Sequence, residues 1–120
     1  MPGKWNPLHL GHILTIAKVK REYKKVIIGI TEDGIKVYSN EEIRDMINTI
    51  FPDIEVIDIP HKLTTLEDLS ILPKFNILIT AENDEVIKWA TEHNINCKSI
   101  TRSHCIGCSG TELRKLWNIH

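Results

Sequence analysis

Val26-Ile27-Ile28-Gly29-Ile30 is a short β-branched run preceded by Lys24 and Lys25. A run this short and this continuously apolar offers no polar face to water, so it suits a strand of a parallel sheet buried on both sides. Ile54–Ile59 and Phe75–Thr80 read the same way, and Ile95–Ile100 is a weaker fourth. Helix-length segments lie between these runs. Leu10–Tyr23 places Leu10, Ile13, Leu14, Ala17 and the stem of Arg21 near one stripe. Ser39 followed by Glu42 is a capping-box pattern, opening a helix with Ile43, Met46, Ile47 and Ile50 on one face and closed by Phe51-Pro52. Thr64 and Glu67 repeat the pattern before a short helix expected to stop at Pro73. Glu82–His93 carries Val86, Ile87 and Ala90 at helical spacing, and Ser109 with Glu112 opens a last helix running towards Trp117.

Strand and helix therefore alternate, which predicts a doubly wound α/β fold with right-handed crossovers. The expected architecture is a Rossmann-like parallel sheet in the order 3-2-1-4-5. Its first strand is truncated: only Met1–Leu8 precedes the first helix, and Pro2, Gly3 and Pro7 restrict that stretch to a stub around Gly3–Trp5.

A length of 120 residues corresponds to one domain, 1–120. Hydrophobic residues make up 42% and charged residues 26%, an ordinary globular composition. Fifteen basic against sixteen acidic side chains leave a formal charge of −1, which supplies no broad footprint for nucleic acid. No apolar run approaches the ~20 residues needed to cross a bilayer, and no signal-like segment opens the chain, so a cytoplasmic location without membrane partners is expected. Three cysteines, Cys97, Cys105 and Cys108, cannot all pair within one chain. Cys105 and Cys108 form a C-x-x-C beside His104, but no second pair completes four ligands, so free thiols and no protein-bound metal are expected.

Two motifs carry chemistry. In Gly3-Lys4-Trp5-Asn6-Pro7-Leu8-His9-Leu10-Gly11-His12, two histidines three apart at a helix start lie one turn apart on one face. Gly11 between them lets a bulky ligand approach the backbone. The imidazoles can donate hydrogen bonds to phosphate oxygens, helped by the positive helix pole, and Lys4 adds a formal charge. The second motif, Ser109-Gly110-Thr111-Glu112-Leu113-Arg114, is another helix start, with two hydroxyls, a glycine and an arginine one turn in. Its N–H groups, hydroxyls and guanidinium suit phosphate oxygens. Two helix starts at the carboxyl ends of strands in one sheet flank the same crevice. The bland alternatives are a structural histidine pair and a plain helix cap at Ser109.

Gly3–His12 resembles the H-x-G-H signature of the cytidylyltransferase-like nucleotidyltransferase superfamily. Ser109–Arg114 resembles its S-x-T-x-x-R signature, in the S-G-T-E-[IL]-R form of archaeal-type nicotinamide mononucleotide adenylyltransferases. Val26–Thr31 and Phe75–Ala90 are similar to the family's second strand and to its segment entering the fourth helix. Trp5 stands where the family usually has phenylalanine. The resemblance implies transfer of a nucleoside monophosphate, AMP favoured, from an NTP to a phosphorylated metabolite. His9 and His12 would polarise the triphosphate beside Lys4. Ser109, Gly110, Thr111 and Arg114 would hold the leaving phosphates, and Trp5, Asn6, Gly11 and Asn83 would contact nucleotide or acceptor. Mg²⁺ would accompany the NTP, held mainly by phosphate and water.

H-x-G-H also occurs in class I aminoacyl-tRNA synthetases, but those need several hundred residues and a K-M-S-K-S-like loop that this sequence lacks. Within the enzyme class, cytidylyl transfer and a phosphopantetheine-type acceptor remain as alternatives. From another class, the rival is a nucleotide-binding module without turnover.

Overall fold

The computed structural model describes residues 1–32, 34 and 36–101, and within them every strand pairing is parallel. The elements run β1 (Pro2–Gly3), α1 (Leu10–Glu22), β2 (Ile27–Thr31), α2 (Asn40–Ile50), β3 (Glu55–Ile59), β4 (Leu78–Ala81), α3 (Asp84–Glu92) and β5 (Cys97–Ile100). Two 3₁₀ turns, Leu63–Thr65 and Leu69–Ile71, lie between β3 and β4. The α/β alternation read from the sequence is the observed one except between β3 and β4, where no α-helix forms. The expected last helix lies outside the described residues.

The sheet is built in two parts, β1-β2-β3 and β4-β5. These are the two halves of the expected 3-2-1-4-5 order, but among the described residues no ladder joins β1 to β4. The reason is the length of β1. It aligns only Pro2 with Gly29 and Gly3 with Ile30, and proline has no N–H to donate. The chain extends the ladder slightly, since the Gly29 N–H donates to the Met1 carbonyl at 2.9 Å. Beyond that, Ile27 and Gly29 of β2 and Leu78 and Ile79 of β4 flank a cavity of about 470 Å³.

β2 is the most buried strand: Ile28 and Ile30 are both 0% exposed, as a central parallel strand requires. They pack with Ile16 and Val19 of α1 and Ile43 and Ile47 of α2. The buried face of α1 is rotated from the expected stripe. Gly11, Thr15, Ile16 and Val19 face inward, whereas Leu14 is exposed. The smaller residues let the helix lie close to the sheet, and the Thr15 hydroxyl satisfies itself on the Gly11 carbonyl at 2.8 Å. A second cluster joins Ile59, Leu63, Leu66 and Leu78 to Val86, Trp89 and Ala90 of α3.

The segment after β3 departs from expectation. Thr64 and Glu67 open no α-helix. Two separate 3₁₀ turns form instead, with Leu66, Asp68 and Leu72 extended, and Leu63, Leu66, Leu69 and Leu72 all pack on the second cluster. Among the described residues, no helix is long and apolar enough to cross a membrane.

Candidate active site

β1 ends at Gly3, β2 at Thr31 and β4 at Ala81, and a crevice of about 600 Å³ lies at these carboxyl ends. Its lining includes Lys4, Trp5, Asn6, His9, Gly11, His12 and Asn83, the motif residues expected at a site, all on one concave surface. Ser109, Gly110, Thr111 and Arg114, like His104, Cys105 and Cys108, lie outside the described residues.

The N-terminus of α1 forms one wall. His9 is the N-cap, and the first intrahelical bond runs from the Ile13 N–H to the His9 carbonyl at 3.2 Å. The N–H groups of the residues before Ile13 therefore have no carbonyl partner inside the helix. This pole carries no acidic side chain in its first turn, whereas α2 has Glu41 and Glu42 and α3 has Asp84 and Glu85. Carboxylates neutralise the positive pole on two helices, whereas the first turn of α1 is capped by imidazoles in place of carboxylates.

The two imidazoles are stacked, with centroids 3.7 Å apart and planes 19° from parallel. The His9 backbone N–H donates to Nδ1 of His12 at 3.3 Å. With Nδ1 used as acceptor, the neutral His12 ring carries its proton on Nε2. His9 is exposed and His12 half-buried, which suits donors addressed to a ligand.

Trp5 and Asn6 form the floor. Trp5 is 5% exposed, adopts φ +55, and donates from its indole to the Gly29 carbonyl at 3.1 Å. Asn6 is 8% exposed. Its Oδ1 accepts from the Val37 and Tyr38 N–H groups at 2.9 and 3.0 Å, and its Nδ2 donates to the Tyr38 carbonyl at 2.6 Å. Asn6 thus ties the loop after β2 to the loop after β1. Gly34, at φ +75, leaves room for Lys4: a Cβ there would stand 2.9 Å from the lysine Nζ. Asn83 caps α3 by accepting from the Val86 N–H at 3.2 Å, and lines the crevice from that position.

Lys62, Thr64 and Glu85 also line the crevice, and none of them was expected from the sequence as a site residue. Thr64 donates to Glu85 Oε1 at 3.2 Å, across 21 residues of sequence. The one signal for them was position, since Lys62 and Thr64 follow the carboxyl end of β3 as the recognised motif follows that of β1. Among the described lining residues Glu85 is the single carboxylate, against Lys4, Lys62 and the two histidines. Such a surface accepts an anion and provides no oxygen cage for a divalent cation. Cys97 is half-buried, and burial pushes its thiol up.

Residues 1–116 match the family profile described as cytidylyltransferase-like. Over 62 residues the chain is 38% identical to a phosphopantetheine adenylyltransferase of Lawsonia intracellularis, covering 50% of this chain and 36% of that protein. It is 26% identical over 126 aligned positions to a nicotinamide-nucleotide adenylyltransferase of Methanococcus maripaludis, covering 94% of this chain and 73% of the relative.

Proposed function

This chain belongs to the cytidylyltransferase-like family, and from that premise we propose that it is a nucleotidyltransferase, acting as a single domain over residues 1–120. It moves a nucleoside monophosphate, AMP in the favoured case, from an NTP to a small phosphorylated metabolite, with pyrophosphate leaving. The observation that carries the reading is a crevice lined by His9, Gly11, His12 and Lys4, at a helix whose first turn has no acidic side chain. Both named relatives are adenylyltransferases, which supports ATP as the donor.

The acceptor phosphate attacks the α-phosphorus in line, a new P–O–P bond forms, and the bond to the β-phosphate breaks. An acceptor phosphate is already anionic at neutral pH, so the residues need not remove a proton. Their work is positioning and charge stabilisation. His12 donates from Nε2 to oxygens on which charge grows, and His9 and Lys4 hold the same chain of phosphates. Ser109, Gly110, Thr111 and Arg114 grip the leaving β- and γ-phosphates. Gly11 lets the phosphates approach the backbone, and Asn83 reaches nucleotide or acceptor from the opposite wall. Trp5 and Asn6 form the floor beneath them. Mg²⁺ fits this surface as a companion of the triphosphate, held by phosphate and water, where it supplies added neutralisation of charge.

The test is turnover of radiolabelled ATP and of CTP with a panel of phosphorylated acceptors, read as labelled product and pyrophosphate. Product with at least one acceptor is expected. Stoichiometric NTP binding without product from any acceptor overturns the enzyme reading in favour of a binding module.

A further inference from the structure

Trp5 is placed with unusual insistence. Its backbone is left-handed, a conformation a bulky residue rarely takes. The indole folds back over Gly3, where a Cβ would stand 2.8 Å from the ring carbon Cε2 and 2.9 Å from Nε1. Only glycine leaves that space. Along that same edge the ring is anchored to the central strand, since Nε1 donates to the Gly29 carbonyl. Its other neighbour is His12, met edge-on at 5.2 Å between centroids and 68° between planes. His12 is therefore held from three directions: by the indole, by the stacked His9 ring, and by the His9 N–H at Nδ1.

We propose that Trp5 is a positioning residue, fixing the ring orientation and Nε2–H tautomer of His12 by transmitting the rigid geometry of β2 to it. This deepens the nucleotidyl-transfer reading and rests on it for its effect on rate. A ring held by a buried partner bonded to the sheet loses no time or free energy finding its orientation when charge develops. A mobile ring must be ordered at that moment. Phenylalanine in the same place keeps an aromatic wall but cannot donate to Gly29.

The experiment uses the full chain with ¹⁵N-labelled histidine, as the native protein, Trp5→Phe and Trp5→Leu. In the native protein one set of His12 ring nitrogen signals with the Nε2–H pattern is expected, together with slow exchange of the His9 amide proton. In Trp5→Leu the two His12 tautomers should average, and His9 exchange should quicken. Its kcat should fall about tenfold or more while KM for ATP changes far less, since misplacement of a transition-state donor costs rate before affinity. Trp5→Phe should recover most of the His12 signature and part of the rate. A folded Trp5→Leu with native His12 signals, native His9 exchange and native kcat overturns the proposal. Should Trp5→Leu fail to fold, Trp5→Phe decides. Faster His9 exchange and reduced kcat, from loss of the Gly29 tie alone, uphold the proposal, and native values for both overturn it. Absence of product from the native protein would count against the function itself, while the His12 and His9 signals would still settle the role of Trp5.

Discussion

At the residue scale, the described part of the site sets the donors Lys4, Lys62 and two histidines around one carboxylate, Glu85. His12 presents Nε2 because its other nitrogen is occupied by the His9 N–H. His12→Ala is expected to leave a folded protein, because the half-buried ring contributes little to the core. Its kcat should drop by about two to three decades, the ~3 kcal/mol typical of losing one preorganised donor to a charged transition state. Steady-state kinetics and a melting curve check this together: full turnover in a folded variant removes His12 from the mechanism. His9 and His12 were readable because their spacing alone puts them at one helix start, and Lys4 because it stands in the same motif just upstream. Asn6 was readable as a candidate but not in its observed contacts, since nothing local says that its amide reaches Val37 and Tyr38. Lys62, Thr64 and Glu85 were not readable. They meet only because the turn after β3 packs against α3 through Leu63 and Val86.

At the scale of elements, the capping box read at Ser39 forms as the sequence states it. Ser39 accepts from the Glu42 N–H at 3.1 Å and Glu42 accepts in return from the Ser39 N–H at 3.2 Å. Ser39→Ala should therefore lower stability by about 1 kcal/mol, measured by urea unfolding, with the catalytic parameters unchanged. An ion pair joins α1 to the turn before β3, with Lys20 Nζ 2.5 Å from Asp53 Oδ1. The hydrogen bond from Lys20 holds the Asp53 carboxyl below its ordinary value of 3.8. A depressed carboxyl stabilises the fold above the unfolded-state value and loses that contribution as pH falls through the folded one. The native protein should accordingly be slightly more stable than Asp53→Asn at neutral pH. Melting curves should show the margin closing below pH ~4, and a margin independent of pH would deny the pair any role. Both partners face solvent, so the effect is small.

At the scale of the molecule, two hydrophobic clusters are pressed together at Gly29. A Cβ on Gly29 would fall 2.5 Å from Cδ1 of Ile59, which belongs to the second cluster, while Gly29 sits in the strand at the heart of the first. Gly29→Ala should cost about 1–3 kcal/mol through overpacking. Ile59→Val removes the clashing methyl and alone should cost about 0.5–1.5 kcal/mol. The double variant should lose less than the sum, because each change relieves the other. Simple additivity in urea unfolding would mean that the contact does not couple the clusters.

Sequence alone determined what depends on near neighbours in the chain: the parallel α/β class, the cap at Ser39, and the histidine pair at a helix start. Each follows from a period or spacing a few residues long. Tertiary structure decided what depends on distant segments meeting. The two-residue β1 leaves β1 and β4 without a ladder, so the sheet forms in halves. The face of α1 turned inward is chosen by how closely Gly11 and Thr15 let the helix approach the sheet, and the stripe of larger residues that includes Leu14 is left outward. The segment after β3 breaks into two short 3₁₀ turns with its leucines packed on the second cluster. The walls of the crevice facing α1 come from residues more than fifty positions away, and no local rule contains that distance.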